Sequence, residues 1–530
     1  MGKQQSLIRG ISILGIAGLI CKVVGVLYKV PLAARIGPEG MGVYHQVFPT
    51  YNLLLTISSA GIPVAISRMV AGFLARGDRL SAHRVFCIAR AMLLTLGAAG
   101  TALMMALSPQ LAKAAGSAEA AGGFLMIAPS LLLVCAMSAY RGFMQGRRRM
   151  VPTAVSQLIE QVGKVLVALP LAVLGMQRGG YAMGAAGALL GTSMAELVAL
   201  VYMMIDKRRA QPAFDALPLA AGDRPASRVL ARELTLISIP ITLGACIVPL
   251  AGTADSFMLV NLMSAYMPKA DALIRYGVYT GLVITLINVP TALAMATAVN
   301  LVPSIGAAYA RQDGDRMRHE AGAGLRIASV IGFPASVGLS MLAEPILLLL
   351  FGGRGQYTRE QLLMGADLLR ISSLTILLFT QVQASSGILQ GLHRQRIPMY
   401  TLAFGVALKV LVNYTLVRIP AVGISGAPYA SLLCYAVSLA PNLYAVAKYA
   451  DMRLNWRDIV LRPALSTGAM ALALAGIMAL GGGKLATSWL WLMGAVVLAG
   501  AVYVLAAVGL GAVRREELPG IFRKERGRHV

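Results

Sequence analysis

Long blocks of predominantly apolar residues, each closed by a short polar stretch, recur from one end of the chain to the other. A bilayer-spanning helix needs about 20 such residues. The pattern therefore predicts fourteen spans, at 11–34, 47–73, 85–107, 124–146, 151–175, 182–205, 233–263, 276–309, 323–351, 366–390, 397–417, 424–447, 459–480 and 488–512. The run from Ile11 to Ala34 is too long for a signal-peptide core and reads as the first span. The longest polar connection, Asp206 to Arg232, lies near the middle, and no loop is large enough to hold a soluble catalytic domain.

Composition agrees with this pattern. Of the 530 residues 57% are hydrophobic and 13% charged, with a mean hydropathy of +0.72; soluble domains carry about 25% charge. A soluble enzyme, a disordered chain and a nucleic-acid binder are excluded, even though 47 Lys and Arg against 22 Asp and Glu leave a net charge of +25. Most of that charge is explained by the tendency of basic residues to collect in cytoplasmic loops. With the N-terminus inside, alternate loops hold 29 basic residues on the cytoplasmic side and nine on the outer side. Both termini are expected in the cytoplasm and the protein in the plasma membrane.

The order of motifs predicts an internal repeat. Gly42-Val43-Tyr44 recurs as Gly277-Val278-Tyr279 and Ala75-Arg76-Gly77-Asp78 as Ala310-Arg311-Gln312-Asp313, both 235 residues on. Gly142 to Gly146 recurs as Gly387 to Gly391, and Lys164 as Lys409, 245 residues on. The expected fold is an all-α polytopic membrane protein of two six-helix pseudo-symmetric lobes plus two C-terminal helices. Its expected parts are an N-lobe at 1–206, a linker at 207–232, a C-lobe at 233–450, and the last two spans with a basic tail at 451–530. Parallel repeats of this kind place a substrate route between the halves.

Nine basic residues remain inside spans, and an ionised group there belongs in a wet cavity or a protein interior. Arg90, Arg141, Arg326 and Arg370 lie close enough to span ends to snorkel. Lys22, Lys29, Arg68, Lys164 and Lys409 are deeper and become the candidate substrate-binding cations. The clear intramembrane acids are Glu160, Glu196 and Asp255. Glu160 and Lys164 stand four apart and can pair on one helix face, and Asp255 is expected to neutralise a nearby cation or to join in coupling to an ion. The excess of cations suits an anionic phosphate or pyrophosphate group.

Signals for chemistry are missing. The five cysteines show no metal-ligand spacing, the five histidines are expected in or beside loops, and there is no phosphate-binding Gly-rich loop ending in Lys-Ser or Lys-Thr. Asp313-Gly314-Asp315 reads as a loop turn. No enzymatic activity, cofactor or metal is expected.

The stretches Gly10 to Leu14, Val24-Gly25, Arg35-Ile36-Gly37-Pro38-Glu39-Gly40-Met41-Gly42-Val43-Tyr44 and Ala60-Gly61-Ile62-Pro63-Val64-Ala65-Ile66-Ser67-Arg68 resemble the N-terminal signature of bacterial polysaccharide exporters. Within these the chain is most similar to the stage V sporulation protein B group of the multidrug/oligosaccharidyl-lipid/polysaccharide (MOP) flippase superfamily, which also holds the MurJ-type lipid II flippases. The resemblance implies two lobes that alternate access and carry an undecaprenyl-pyrophosphate-linked sugar, a lipid II-like cell-wall precursor or polysaccharide unit, to the outer leaflet. It implies that Lys22 stands where MurJ-type proteins have a functional basic residue and that Arg68 closes the Ala-Ile-Ser motif of the sporulation branch. Tyr28 and the Leu55-Thr56 region stand where MurJ-type proteins have further arginines, so that binding geometry does not carry over. The expected partners are the anionic lipid-linked saccharide, membrane lipids, a coupling ion and cell-wall synthesis proteins. The rival readings are a cation-coupled multidrug exporter of the same superfamily and a membrane scaffold or enzyme of wall synthesis.

Overall fold

The computed structural model describes residues 2–216 and 225–513, with side chains from Ala17 onward apart from those of Leu19, Lys22, Ala296 and Arg354. Described residues form helices and short turns. The first helical run, Gly2–Ser59, is broken where Gly37 adopts φ 72° and ψ −177°. Only glycine enters this backbone region without steric cost, and Pro38 behind it supplies no amide hydrogen to continue the helix. The break separates α1 (2–36) from α2 (38–75), and a bend at Ala60–Gly61 interrupts α2. A second break, at Gly179 and Gly180 with φ 71° at Gly180, divides the run ending at Arg209 into α5 (151–178) and α6 (181–209).

The other long helices are α3 (Arg79–Ala106), α4 (Ala120–Gly146), α7 (Ser227–Met263), α8 (Lys269–Ala310), α9 (Gly314–Met341), α10 (Arg359–Gly391), α11 (Arg396–Leu416), α12 (Gly423–Tyr449), α13 (Arg457–Gly481) and α14 (Trp489–Gly509). Twelve helical runs in the described residues are long and apolar enough to cross a membrane, and the two glycine breaks resolve them into fourteen segments. The polytopic helical fold read from the apolar blocks is the fold observed.

Contacts divide the chain into two compact units. One comprises the described residues up to Val289 with Arg354–Gln361 and Val406–Ala430; the other comprises Pro290–Gly353, Leu362–Gly405 and the described chain from Ser431. The boundaries drawn from the sequence follow the repeat, whereas these units follow packing. In the first unit Phe86, Phe143 and Phe214 join α3, α4 and the segment after α6, with ring centroids 4.7 Å apart for Phe86 and Phe143 and 5.5 Å for Phe143 and Phe214. In the second, Ile305, Leu325 and Ile388 centre a core that joins α8, α9 and α10. The final helix, α14, donates the Tyr503 hydroxyl to the Val330 carbonyl at 2.8 Å.

The repeat reappears as equivalent contacts. A Cβ on Gly142 would stand 2.8 Å from the Pro63 carbonyl oxygen and one on Gly146 2.7 Å from Val70 Cβ. The same construction on Gly387 and Gly391 meets the Ala298 carbonyl at 2.7 Å and Ile305 Cβ at 2.7 Å. Pro63 and Val70 precede Ala298 and Ile305 by the same 235 residues found from the motifs. Asp78 and Asp313 cap α3 and α9 alike, accepting from the Ser81 amide at 2.9 Å and the Arg316 amide at 3.0 Å. Asp313 is therefore a cap, as the loop-turn reading of Asp313-Gly314-Asp315 implies.

Candidate functional site

On α1, Cys21, Gly25 and Lys29 recur at spacings of four and share one helix face. That face meets α5: a Cβ on Gly25 would lie 3.4 Å from Gln161 Oε1, and Cys21 is within the electrostatic reach of Glu160, Arg141 and Lys164. Lys29 and Lys164 are both half-buried and act on each other electrostatically. Neither forms an ion pair among the described residues. Lys22, seven residues before Lys29, falls on the same side of α1 by helix spacing; its side chain lies outside the described residues.

Glu160 does not pair with Lys164. Its Oε1 takes the Arg141 guanidinium of α4 at 2.9 Å, and Arg141 Nε donates to Ser156 Oγ at 2.9 Å. Both side chains of the pair are 14% exposed, so Arg141 is held inside and does not snorkel to a headgroup. Lys164 opens a π-helical turn, Lys164–Ala168, after an ordinary α-helical stretch, so Glu160 is turned from it by the Arg141 contact and not by helix geometry. Pairing with Arg141 neutralises Glu160 and leaves the two lysines as the uncompensated charge.

Beside them, Glu196 of α6 is 5% exposed and accepts from the Tyr51 hydroxyl at 3.2 Å and from the Ser130 hydroxyl. The lysine nearest to it electrostatically is Lys164. His45, expected at a loop, is 7% exposed with its ring edge-on to Tyr44 at 5.3 Å. It is buried because the Pro-Glu-Gly stretch after Gly37 is already helical, which places His45 two turns inside α2.

Asp255 of α7 meets Lys409 of α11. Lys409 Nζ donates to Oδ2 at 2.5 Å and Asn413 Nδ2 to Oδ1 at 2.8 Å. Asp255 thus neutralises a cation, while Asn413 was invisible to a search for charges. Arg68 is exposed on α2 and lines a groove of about 340 Å³ with Arg76, Glu233 and Leu236. The candidates fall into three groups: Lys29, Lys164 and Glu160 with the α1 position of Lys22; Asp255 with Lys409; and Arg68 by itself among the candidates. Among the described residues no three His, Cys, Asp or Glu side chains gather as a metal-binding group.

Comparison with known proteins gives the family. The model described as polysaccharide biosynthesis protein matches residues 7–308, and one described as MatE matches residues 240–415. The lipid II flippase MurJ of Bacillus subtilis (strain 168) is 24% identical over 557 aligned residues, covering 99% of this chain and 100% of the relative. Stage V sporulation protein B of the same organism is 23% identical and covers 97% of each chain. A solved structure of lipid II flippase MurJ in an inward closed conformation matches with a TM-score of 0.69 at 12% identity, over 93% of this chain and 97% of that one. An inward-facing MATE family multidrug transporter of the MOP superfamily matches with a TM-score of 0.66 at 16% identity, over 83% and 99%. The solved structures establish the shared transporter fold, and the first family model spans more than half of the sequence. The chain belongs to the polysaccharide biosynthesis protein family of the MOP flippase superfamily.

Proposed function

We propose that the protein flips a lipid-linked saccharide carrying a pyrophosphate, a cell-wall precursor such as lipid II or a polysaccharide unit, from the inner to the outer leaflet by alternating access. The observation that carries the proposal is the pair of half-buried lysines, Lys29 and Lys164, on facing helices, neither held in an ion pair among the described residues. Two ammonium groups that act on each other repel, and a dianionic pyrophosphate relieves that repulsion while accepting their hydrogen bonds. The position of Lys22, two helical turns earlier on the same side of α1, would extend the cationic track. Arg68 serves as an outlying contact near the end of α2, and the Asp255–Lys409 pair as an element that opens and closes or responds to a coupling ion. The names of the relatives support the substrate class.

The test is a leaflet-resolved assay of lipid II accessibility in cells depleted of their own flippases and complemented with this chain. Wild type should restore outer-leaflet lipid II. K29A/K164A, at equal protein level, should lower the rate by about tenfold or more, the scale of losing charge-assisted hydrogen bonds. Full rescue by the double variant would refute the role of these lysines, and absence of rescue by wild type would refute the lipid II substrate.

The multidrug-exporter reading is favoured by the MatE match over residues 240–415. Cation coupling through Asp255 would require release of Lys409, so drug efflux abolished by D255N while lipid II accessibility stays at background would select that reading.

A further inference from the structure

Two turns of the first compact unit enclose a cleft of about 590 Å³: Arg76–Asp78 between α2 and α3, and Arg147–Met150 between α4 and α5. Leu74, Gly77, Arg79, Arg147, Arg148 and Arg149 are among its lining residues. Four arginines line this one cleft, with acids reaching only part of the set. Arg149 reaches Asp206 at 3.3 Å, and Arg147 also feels Asp206 and Asp215. Asp78 is turned to the α3 cap. Arg79 Nε and Nη1 and Arg147 Nη1 are buried without a hydrogen-bond partner among the described residues. Arg147 is nonetheless held firmly, donating to the Ala210 carbonyl at 3.0 Å with its guanidinium 4.7 Å from the Phe214 ring centroid. Buried donors normally find acceptors, so guanidinium hydrogens beside an open cleft are placed to receive one.

The internal repeat supplies a control. The second half has the same pair of turns: Gln312 takes φ 56° where Gly77 takes 76°, and His393 takes φ 58° where Arg148 takes 60°. These turns also border a cleft, of about 500 Å³, lined by residues that include Tyr309, Gln312, Gly314 and His393. By the offsets of 235 and 245, Arg79 corresponds to Gly314, Arg147 to Leu392, Arg148 to His393 and Arg149 to Arg394. The fold therefore makes this cleft without three of the four arginines. The backbone of the turns does not require them.

We propose that this cleft binds the phosphate of an anionic membrane phospholipid. The guanidinium fork matches phosphate oxygens in pairs. Both turns terminate membrane helices and so lie at headgroup depth, where basic pockets between helices take acidic lipids. Leu74 and its alanine neighbours Ala71 and Ala75 give the cleft an apolar wall for the glycerol end of the lipid.

The experiment is native mass spectrometry of the purified full chain titrated with phosphatidylglycerol or phosphatidylcholine, with inorganic phosphate in a separate arm. Wild type should retain phosphatidylglycerol about tenfold more strongly than phosphatidylcholine, and R79Q/R148Q should reduce that preference to about threefold or less. R311Q, in the corresponding loop of the second half, should leave it unchanged. If R79Q/R148Q does not fold, R79K/R148K keeps both charges but removes the planar forks, and its preference should also fall. An unchanged preference in the cleft variants overturns the proposal, as does an equal loss in R311Q, which would mark general surface charge. Saturation by inorganic phosphate with no lipid preference would assign the cleft to a soluble anion and overturn the lipid assignment.

Discussion

Arg141 and Glu160 are each 14% exposed, and each is the other's only ion-pair partner among the described residues. Removing one member of a buried pair strands the other, a change that typically costs about 3 to 5 kcal/mol. R141A should therefore lower the thermal unfolding temperature in detergent strongly, E160A similarly, and the double variant by less than the sum of the two. Additive losses would show that the two groups are not coupled. At Glu196 the expectation is milder, since a glutamine offers an oxygen to one of the Tyr51 and Ser130 hydroxyls and an amide hydrogen to the other. E196Q should stay within about 1 kcal/mol of wild type and E196A should fall further, as read in the same unfolding assay. The sequence placed Arg141, Glu160 and Lys164 inside the membrane, but it did not reveal their partners. An i,i+4 spacing says that two side chains can meet, and here a guanidinium from another helix takes the carboxylate instead. The contact with Arg141 joins residues 19 apart across a turn, which periodicity does not encode.

Among the helices, the repeated glycines are contact points more than points of bending. Backbone oxygen faces the Cβ position of both Gly142 and Gly387, at 2.8 and 2.7 Å, and backbone yields less readily than a side-chain tip. G142A and G387A should each destabilise by about 1 to 3 kcal/mol through overpacking. Gly122 and Gly468 have nothing within 4 Å of the same position, and alanine there should be neutral or stabilising by up to about 1 kcal/mol. A thermal unfolding series of the four variants checks the contrast, and equal shifts would defeat it. The spacing of these glycines was legible because the two halves repeat it. Which residues they press against was not, since Pro63 and Ala298 are about 80 and 90 positions away and carry no motif of their own. Similarly, the apolar blocks locate the spans well but leave 35–46 as a loop where the chain is helical again from Pro38, so His45, expected in or beside a loop, lies in the interior.

For the whole molecule, the remaining expectation is orientation. Helix geometry alone is indifferent to which side of the bilayer each end faces, whereas the 29 to nine partition of basic residues is directional. Arg79 and Arg147 to Arg149 of the cleft are four of those 29, so the proposed phospholipid site takes the side that the partition takes. A chain with its five native cysteines replaced by alanine or serine, then given single cysteines at Ser117 or Gln312, separates the two sides. Ser117 lies in the turn before α4, on the expected outer side, and Gln312 in the turn before α9, on the expected inner side. An impermeant thiol reagent added to intact cells should label S117C and spare Q312C until the membrane is opened. The reverse pattern would invert the topology and move the phospholipid cleft to the outer leaflet. Labelling of both in intact cells would mean that an even number of crossings separates the two turns, and the fourteen-segment assignment would have to be redrawn.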